Sequence, residues 1–373
     1  MNFVRMPIEV ESPEEFGYEK IKFNLTESSY SDANLDHLQI DLRNHLLAYG
    51  DHRGHPKLRA LIAQDHGVTA NDVLITAGAS SALFIIAISQ IKKSNCLLVD
   101  FPNYATNLET PRILDANVFT MPRSYENGFK VNSDLIREKL QQLKLRMVSL
   151  TNPHNPTGVV TLTSELKELA ILCAQQDCLF LVDETYGDLN LADRKLKLSE
   201  LPQNVISVSS LSKSYGLPGI RTGWIVCRNS KLMETFLAAK EQIFITGSSV
   251  DEEIAFQFMT QKNSFFSKIL DDVKEKRALL LQWLQNERRL EAVTPHGGVV
   301  AFPRIKGLKS ESDAFLNAFY KSLNEDFGTY VGPGHWFQMP KKYFRIGYAW
   351  PSLEQLSNGL KGISQALSKC GWE

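Results

Sequence analysis

Up to about Asn229 the chain alternates short apolar runs with stretches in which apolar residues return every three or four places. The runs Val73–Thr76, Cys96–Asp100, Val118–Met121, Met147–Leu150, Leu179–Asp183, Val205–Val208 and Trp224–Cys227 are too short for helices and are largely apolar on both faces. They predict buried strands covered on each side. Between them, Ser80–Ile91, Ser133–Gln142 and Ser164–Gln176 carry helical periodicity. Ser133 before Asp134, and Ser164 before Glu165, offer a capping hydroxyl followed by an acid in the first turn. Strand and helix in alternation predict an α/β fold: a mostly parallel central sheet flanked by helices.

After Asn229 the pattern changes. Helical periodicity holds to about Leu290, strand-like runs follow at Val299–Phe302 and Tyr343–Tyr348, and Leu353–Ser368 reads as a terminal helix. We expect a large domain over 41–288 and a smaller α+β domain over 289–373, joined by the N-terminal segment 1–40. With 373 residues, 43% of them hydrophobic, the chain can fill two cores.

Charge and cysteines narrow the partners. The formal net charge is −1 with basic residues scattered, so nothing draws the chain to nucleic acid or to an acidic membrane. The longest apolar stretch, Ala82–Ile91, is too short to span a bilayer. Met1–Lys20 is acidic, is broken by Pro7 and Pro13, and does not read as a signal peptide. The five cysteines are irregularly spaced; Cys173 and Cys178 lack a second pair or a histidine cluster, so no metal site is expected. The pattern is that of a reduced, cytoplasmic protein.

Ligands of open α/β sheets sit beyond the C-terminal ends of the strands, so the segments that follow the strands carry the chemistry. Ala77-Gly78-Ala79-Ser80-Ser81 could turn backbone N–H groups toward an anion, or be an ordinary tight turn. Thr151-Asn152-Pro153-His154-Asn155-Pro156-Thr157-Gly158 is a rigid non-helical loop whose Asn side chains could meet a ligand or merely build the turn. Asp183 ends an apolar strand and needs a cation, either a protein side chain or a ligand. Lys213 lies among hydroxyls and glycines in Ser209–Gly223, where a lysine can lose its proton and attack a carbonyl, or simply be a solvated loop residue. Arg221 follows before the next strand and could grip a phosphate.

Taken in this order, the segments resemble the aspartate aminotransferase superfamily, the class I/II branch of fold-type I pyridoxal-phosphate enzymes, from about Tyr49 to Tyr348. Ser210-Leu211-Ser212-Lys213 with Gly219-Ile220-Arg221-Thr222-Gly223 is similar to that family's lysine signature, Asn152–Gly158 to its Asn-Pro-X-Asn-Pro-Thr-Gly loop, and Asp183–Tyr186 to its Asp-Glu-X-Tyr. The resemblance implies an aminotransferase acting between an L-amino acid and a 2-oxo acid with pyridoxal 5′-phosphate. By the same resemblance Lys213 forms the Schiff base and moves the proton, and Asp183 pairs with the pyridinium nitrogen. Tyr186 and Asn155 contact the phenolic oxygen, and Tyr104 stacks on the ring or is a core aromatic. Ala79, Ser80, Ser210 and Arg221 hold the phosphate. Arg345 clamps the substrate carboxylate or forms a surface ion pair. Tyr49 reaches the neighbour's site across a homodimer.

Where the family usually places a small, often Gly-bearing segment, this chain has Phe23–Asp32, polar and without glycine. Glu27 there could meet a cationic or polar substrate side chain, or be a solvated loop residue; Arg53 could meet a second carboxylate. The same scaffold also serves lyases, decarboxylases and amino-acid oxidases. A non-catalytic effector-binding module would carry a DNA-binding segment, and no basic helix pair precedes Tyr49.

Overall fold

In the computed structural model, which describes residues 2–307 and 313–371, seven strands form the central sheet. With β1 (Phe23–Leu25) reserved for a second sheet, these are β2 (Val73–Thr76), β3 (Cys96–Phe101), β4 (Asn117–Pro122), β5 (Leu145–Thr151), β6 (Leu179–Asp183), β7 (Val205–Ser210) and β8 (Gly223–Cys227), in the order β2-β8-β7-β6-β5-β3-β4. All neighbours are parallel except β8, which runs antiparallel to both β7 and β2. The start of β8 therefore lies at the same edge as the ends of the other strands.

Alternation along each strand feeds two cores. Leu97, Val99, Met147 and Leu181 face the helices Gly78–Gln90 and Ser230–Ile243. Leu98, Val148, Leu150, Phe180 and Val182 face Ser133–Gln142 and Thr163–Gln175. Both faces are apolar because both are covered, which is why the runs read as continuous. β4 departs from that expectation. It is the edge strand, and of its residues only Met121 is buried.

Two helix starts also differ in detail. Asn132, not Ser133, caps its helix by accepting from the Leu135 N–H at 2.9 Å. The helix expected from Ser164 begins at Thr163, and Glu165 reaches back to the Leu162 N–H at 3.0 Å.

The remaining strands are β9 (Leu290–Glu291), β10 (Val300–Ala301), β11 (Arg304–Ile305), β12 (Thr329–Pro333) and β13 (Phe344–Gly347). β1 joins three of them in a sheet of order β1-β12-β13-β10, pairing in parallel with β12, while β9 and β11 pair with each other. The terminal helix Leu353–Lys369 covers this sheet with Leu356, Leu360, Ile363 and Leu367, a stripe at helical spacing. Among the described residues no helix is long and apolar enough to cross a membrane.

Candidate active site

The strand ends converge on a cleft of about 490 Å³. Ala79, Ser80, Tyr104, Asn155, Asp183, Tyr186, Ser210, Lys213, Arg221 and Arg345 all line it, as does Glu27. Tyr49 does not; it is 84% exposed, beside Leu46 and Leu47. Arg53 does not either: its guanidinium engages Glu234 and the Asn71 carbonyl.

At one end, the helix Gly78–Gln90 begins without a side-chain cap, so its first N–H groups are free to face a ligand. Arg221 lies against this turn. It donates to the carbonyls of Pro218 at 2.9 Å and Ala77 at 3.4 Å and forms no ion pair among the described residues. Gly78 makes this approach possible: its φ is +81°, and a Cβ there would sit 2.5 Å from Arg221 Nη2. Helix terminus, guanidinium and nearby Ser210 form a cradle for a dianion.

Three further charged groups meet in the cleft without a counter-charge in bonding distance. Asp183 is buried and accepts from neutral donors, the Thr185 N–H at 3.0 Å and the Thr185 hydroxyl at 2.5 Å, with the Asn107 amide nearby. Burial pushes its carboxyl above the usual carboxylate range despite those bonds. Lys213, on the short helix Ser212–Tyr215 after β7, has no hydrogen-bond partner for its Nζ among the described residues, and burial lowers its ammonium below the usual lysine range. Arg345, on β13, is 4% exposed. Its Nη1 reaches Asn155 Oδ1 at 3.2 Å, its Nη2 the Thr26 carbonyl at 2.8 Å, and its Nε has no acceptor. The Phe337 ring lies 5.0 Å from its guanidinium carbon.

The Asn-Pro loop divides its labour. Asn152 exchanges hydrogen bonds with the Thr161 backbone at 2.8 and 3.1 Å and so builds the turn. Buried His154 holds the loop down, Nε2 donating to the Pro102 carbonyl at 2.7 Å and Nδ1 meeting Thr157 Oγ1 at 2.8 Å; burial keeps it neutral. Asn155 faces the cleft, with its oxygen toward Arg345 because a guanidinium only donates. The Tyr186 hydroxyl donates to the Ser28 carbonyl at 2.8 Å, and burial raises it to about 12.

Two parts of the site went unread in the sequence. One is the wall formed by the short helices Pro7–Val10 and Pro13–Phe16, which bring Ile8, Glu9, Ser12 and Glu14 into the cleft. Glu11 pins this wall, accepting from Trp336 Nε1 at 2.7 Å and His335 Nε2 at 2.8 Å, while the Glu9 carboxylate accepts from the Tyr104 hydroxyl at 3.1 Å. Pro7 and Pro13, each followed by acids, were the available signal, since proline favours a first helical turn. The other is a buried relay behind Asp183. Arg123 pairs with Asp100 at 2.6 Å, Asn103 donates to Asp100, Asn107 donates to Asn103 Oδ1 at 3.1 Å, and the Asn107 amide favours the Asp183 carboxylate from nearby.

An anion cradle, an unpaired carboxylate, an unpaired amine and an unpaired guanidinium suit a phosphate-bearing cofactor with a basic ring nitrogen and a carbonyl, beside a carboxylate substrate. Residues 20–363 match the family described as aminotransferase class I and II, and the chain belongs to it. It is a pyridoxal-phosphate-dependent aminotransferase. Among its relatives, capreomycidine synthase of Streptomyces vinaceus is 28% identical, over 85% of this chain and 80% of that one. The aspartate aminotransferase of Pyrococcus horikoshii is 26% identical, over 86% and 83% respectively. A crystal structure of a PLP-dependent aminotransferase from Streptococcus suis superposes with a TM-score of 0.90 at 24% identity, covering 100% of both chains, and shares the fold.

Proposed function

We propose that Lys213 is the residue that bonds the cofactor and moves the substrate's Cα proton, with Asp183 against the ring nitrogen and Arg345 on the substrate α-carboxylate. One observation carries this reading: Lys213, Asp183 and Arg345 share a cleft with no counter-charge bonded to any of them. Keeping such groups buried and unpaired costs stability, so each calls for a ligand.

When bound, pyridoxal phosphate supplies an electron sink that weakens bonds at the substrate Cα. The chain supplies the rest. Ala79, Ser80, Ser210 and Arg221 hold the phosphate end, and Tyr104 covers the ring. Asp183, kept among neutral donors, keeps the ring nitrogen protonated. Asn155 and Tyr186 would meet the ring's oxygen. Arg345 fixes the carboxylate through paired N–H groups, which sets which Cα bond stands across the ring and so favours loss of the proton. Lys213, with its depressed pKa, holds that proton at Nζ and returns it.

The functional unit in this reading is a cytoplasmic homodimer in amino-acid biosynthesis, each protomer built from units 41–288 and 289–373 with 1–40 attached to the latter. Exposed Leu46, Leu47 and Tyr49 form an apolar surface fit for a second copy. Their loop is anchored from within, by Lys240 on the His52 carbonyl at 2.7 Å and by Arg59 on Asp51 at 3.1 Å. The five free cysteines agree with a reducing compartment.

An absorbance spectrum tests the core of the proposal. The cofactor-loaded protein should show a visible band that borohydride fixes onto Lys213, located by peptide mapping. An amino donor alone should bleach it, and a 2-oxo acid should restore it. A band that never bleaches, with ammonia, carbon dioxide or peroxide released instead, would assign a different reaction on the same scaffold. Label on another lysine would overturn the role of Lys213.

A further inference from the structure

We propose that Glu27 determines which amino donor is taken, and that the side chain it selects is cationic: an ammonium or guanidinium at the far end of an L-amino acid. This rests on the reading of the cleft as the amino-acid site.

Glu27 is fixed between one group assigned to the substrate and one assigned to the cofactor. Arg345 holds the Thr26 carbonyl at 2.8 Å on one side, and the Tyr186 hydroxyl holds the Ser28 carbonyl at 2.8 Å on the other. Beneath, a Cβ on Gly347 would fall 1.7 Å from the Glu27 carbonyl oxygen, so Gly347 lets this backbone lie against β13. The Glu27 carboxylate lines the cleft and accepts from the Tyr18 hydroxyl at 2.9 Å; it forms no ion pair among the described residues. Tyr18 stacks against Trp350, with centroids 6.3 Å apart.

The surrounding charges fix the sign. Glu9 and Glu14 line the cleft from the N-terminal wall, and Arg5 on that wall is paired with Glu15 at 3.2 Å. Arg221 belongs to the anion cradle and Arg345 to the α-carboxylate, which among the described residues leaves no unpaired guanidinium in the lining for a second carboxylate. With the carboxylate at Arg345 and the amino group at Lys213, the side chain is what remains to meet Glu27. A dicarboxylate would bring like charge against Glu27 and Glu14, and an apolar chain would strip water from Glu27 without replacing it. A cation satisfies it. Burial pushes the Glu27 carboxyl above its usual range while Lys213 and Arg345 pull it down, as expected of an acid waiting for a counter-ion.

The test uses cofactor-loaded wild type, Glu27→Gln and Glu27→Asp, with bleaching of the visible band titrated by lysine, ornithine, arginine, norleucine and glutamate. Wild type should half-convert with the cationic donors at concentrations roughly tenfold or more below norleucine, a factor set by one charge-assisted hydrogen bond. Glu27→Gln should shrink that ratio by about tenfold, and Glu27→Asp, which keeps the charge, should lie between. A loss in Glu27→Gln that is equal for lysine and norleucine would make the residue structural and overturn the proposal, as would a wild type that takes glutamate as well as lysine. If no amino acid bleaches the wild-type band, the active-site reading itself fails, an outcome distinct from a wrong donor profile. Should the variant not hold cofactor, the wild-type profile alone decides.

Discussion

Two sets of buried charges sit at the same edge of the central sheet and are built in opposite ways. Arg123 and Asp100 are both fully buried and paired at 2.6 Å, with Asn103, the Thr151 N–H and the Phe129 carbonyl satisfying further atoms. Asp183 and Arg345 are buried too and Lys213 is half-buried, and none of the three has a counter-charge bonded to it. The first set is closed in charge, its ion pair internal, although Arg123 Nε, like Arg345 Nε, has no acceptor. The second is open, and its missing partners define what must bind. Burial of a charge marks function only when the protein has not already answered it.

The largest expected effect is at Lys213. Lys213→Ala should lower transamination by about 10⁴-fold or more, because in the proposed function the same group bonds the cofactor and moves the proton. The cofactor-free variant should nonetheless melt higher than cofactor-free wild type, since a half-buried ammonium without a bonded partner is gone. Thermal melts beside steady-state rates check both, and a lower melting temperature would mean that Lys213 is internally satisfied.

A matched pair of substitutions tests the comparison directly. Asp100→Asn should destabilise the protein by roughly 3–5 kcal/mol, because it leaves Arg123 buried and uncompensated. Asp183→Asn should stabilise the cofactor-free protein by about 1–3 kcal/mol while cutting turnover at least a hundredfold. The pH dependence fixes the sign. The folded-state pKa of Asp183 is raised, so below about pH 4, the ordinary carboxylate value, both states carry the proton and the residue costs little. As pH climbs to the folded value the cost grows, and above it the cost is complete. The stability gap between Asp183→Asn and wild type, measured by denaturant titration, should therefore widen from acid to neutral pH. A flat gap would show that Asp183 is already paired.

Arg345→Lys should raise the donor concentration needed for half-conversion by about a hundredfold and leave the visible band in place. Lysine keeps the charge but loses the planar pair of donors. A displaced band would place Arg345 on the cofactor instead.

Much of this was legible in the chain because strand ends are local. An apolar run followed by Asp183, or by Ser210 to Lys213, states both the strand and the edge at which its chemistry sits. What was not legible depends on distant partners. Glu11 meets Trp336 and Tyr330 from the other end of the chain, and nothing near Pro7 or Pro13 announces that this acidic stretch walls a cleft. Arg123 finds Asp100 only because β3 and β4 are neighbours. The exposure of β4 follows from its place at the sheet edge, which hydrophobic pattern alone does not encode. Asn152 and Asn155 look alike in sequence; only the fold turns one to Thr161 and the other to Arg345.

Asn107 stands between the closed set and the open one, so it gives the smallest and sharpest test. Its amide donates to Asn103 Oδ1, which belongs to the Asp100–Arg123 network, and it lies close enough to Asp183 to favour the carboxylate. Asn107→Leu keeps the volume and removes both donors. If the link acts as one neutral hydrogen bond on Asp183, turnover should fall about fivefold, the worth of roughly 1 kcal/mol. The pH midpoint of the visible band should shift as well, since Asp183 would hold the ring nitrogen less firmly. A shift in that midpoint separates positioning from mere packing, which would lower the melting temperature and leave the midpoint in place. A loss near a hundredfold would mean that the Arg123 charge is felt at Asp183 through the chain of amides, so that the closed set tunes the open one. No change in rate or midpoint would separate the two sets and leave Arg123 and Asp100 as framework alone.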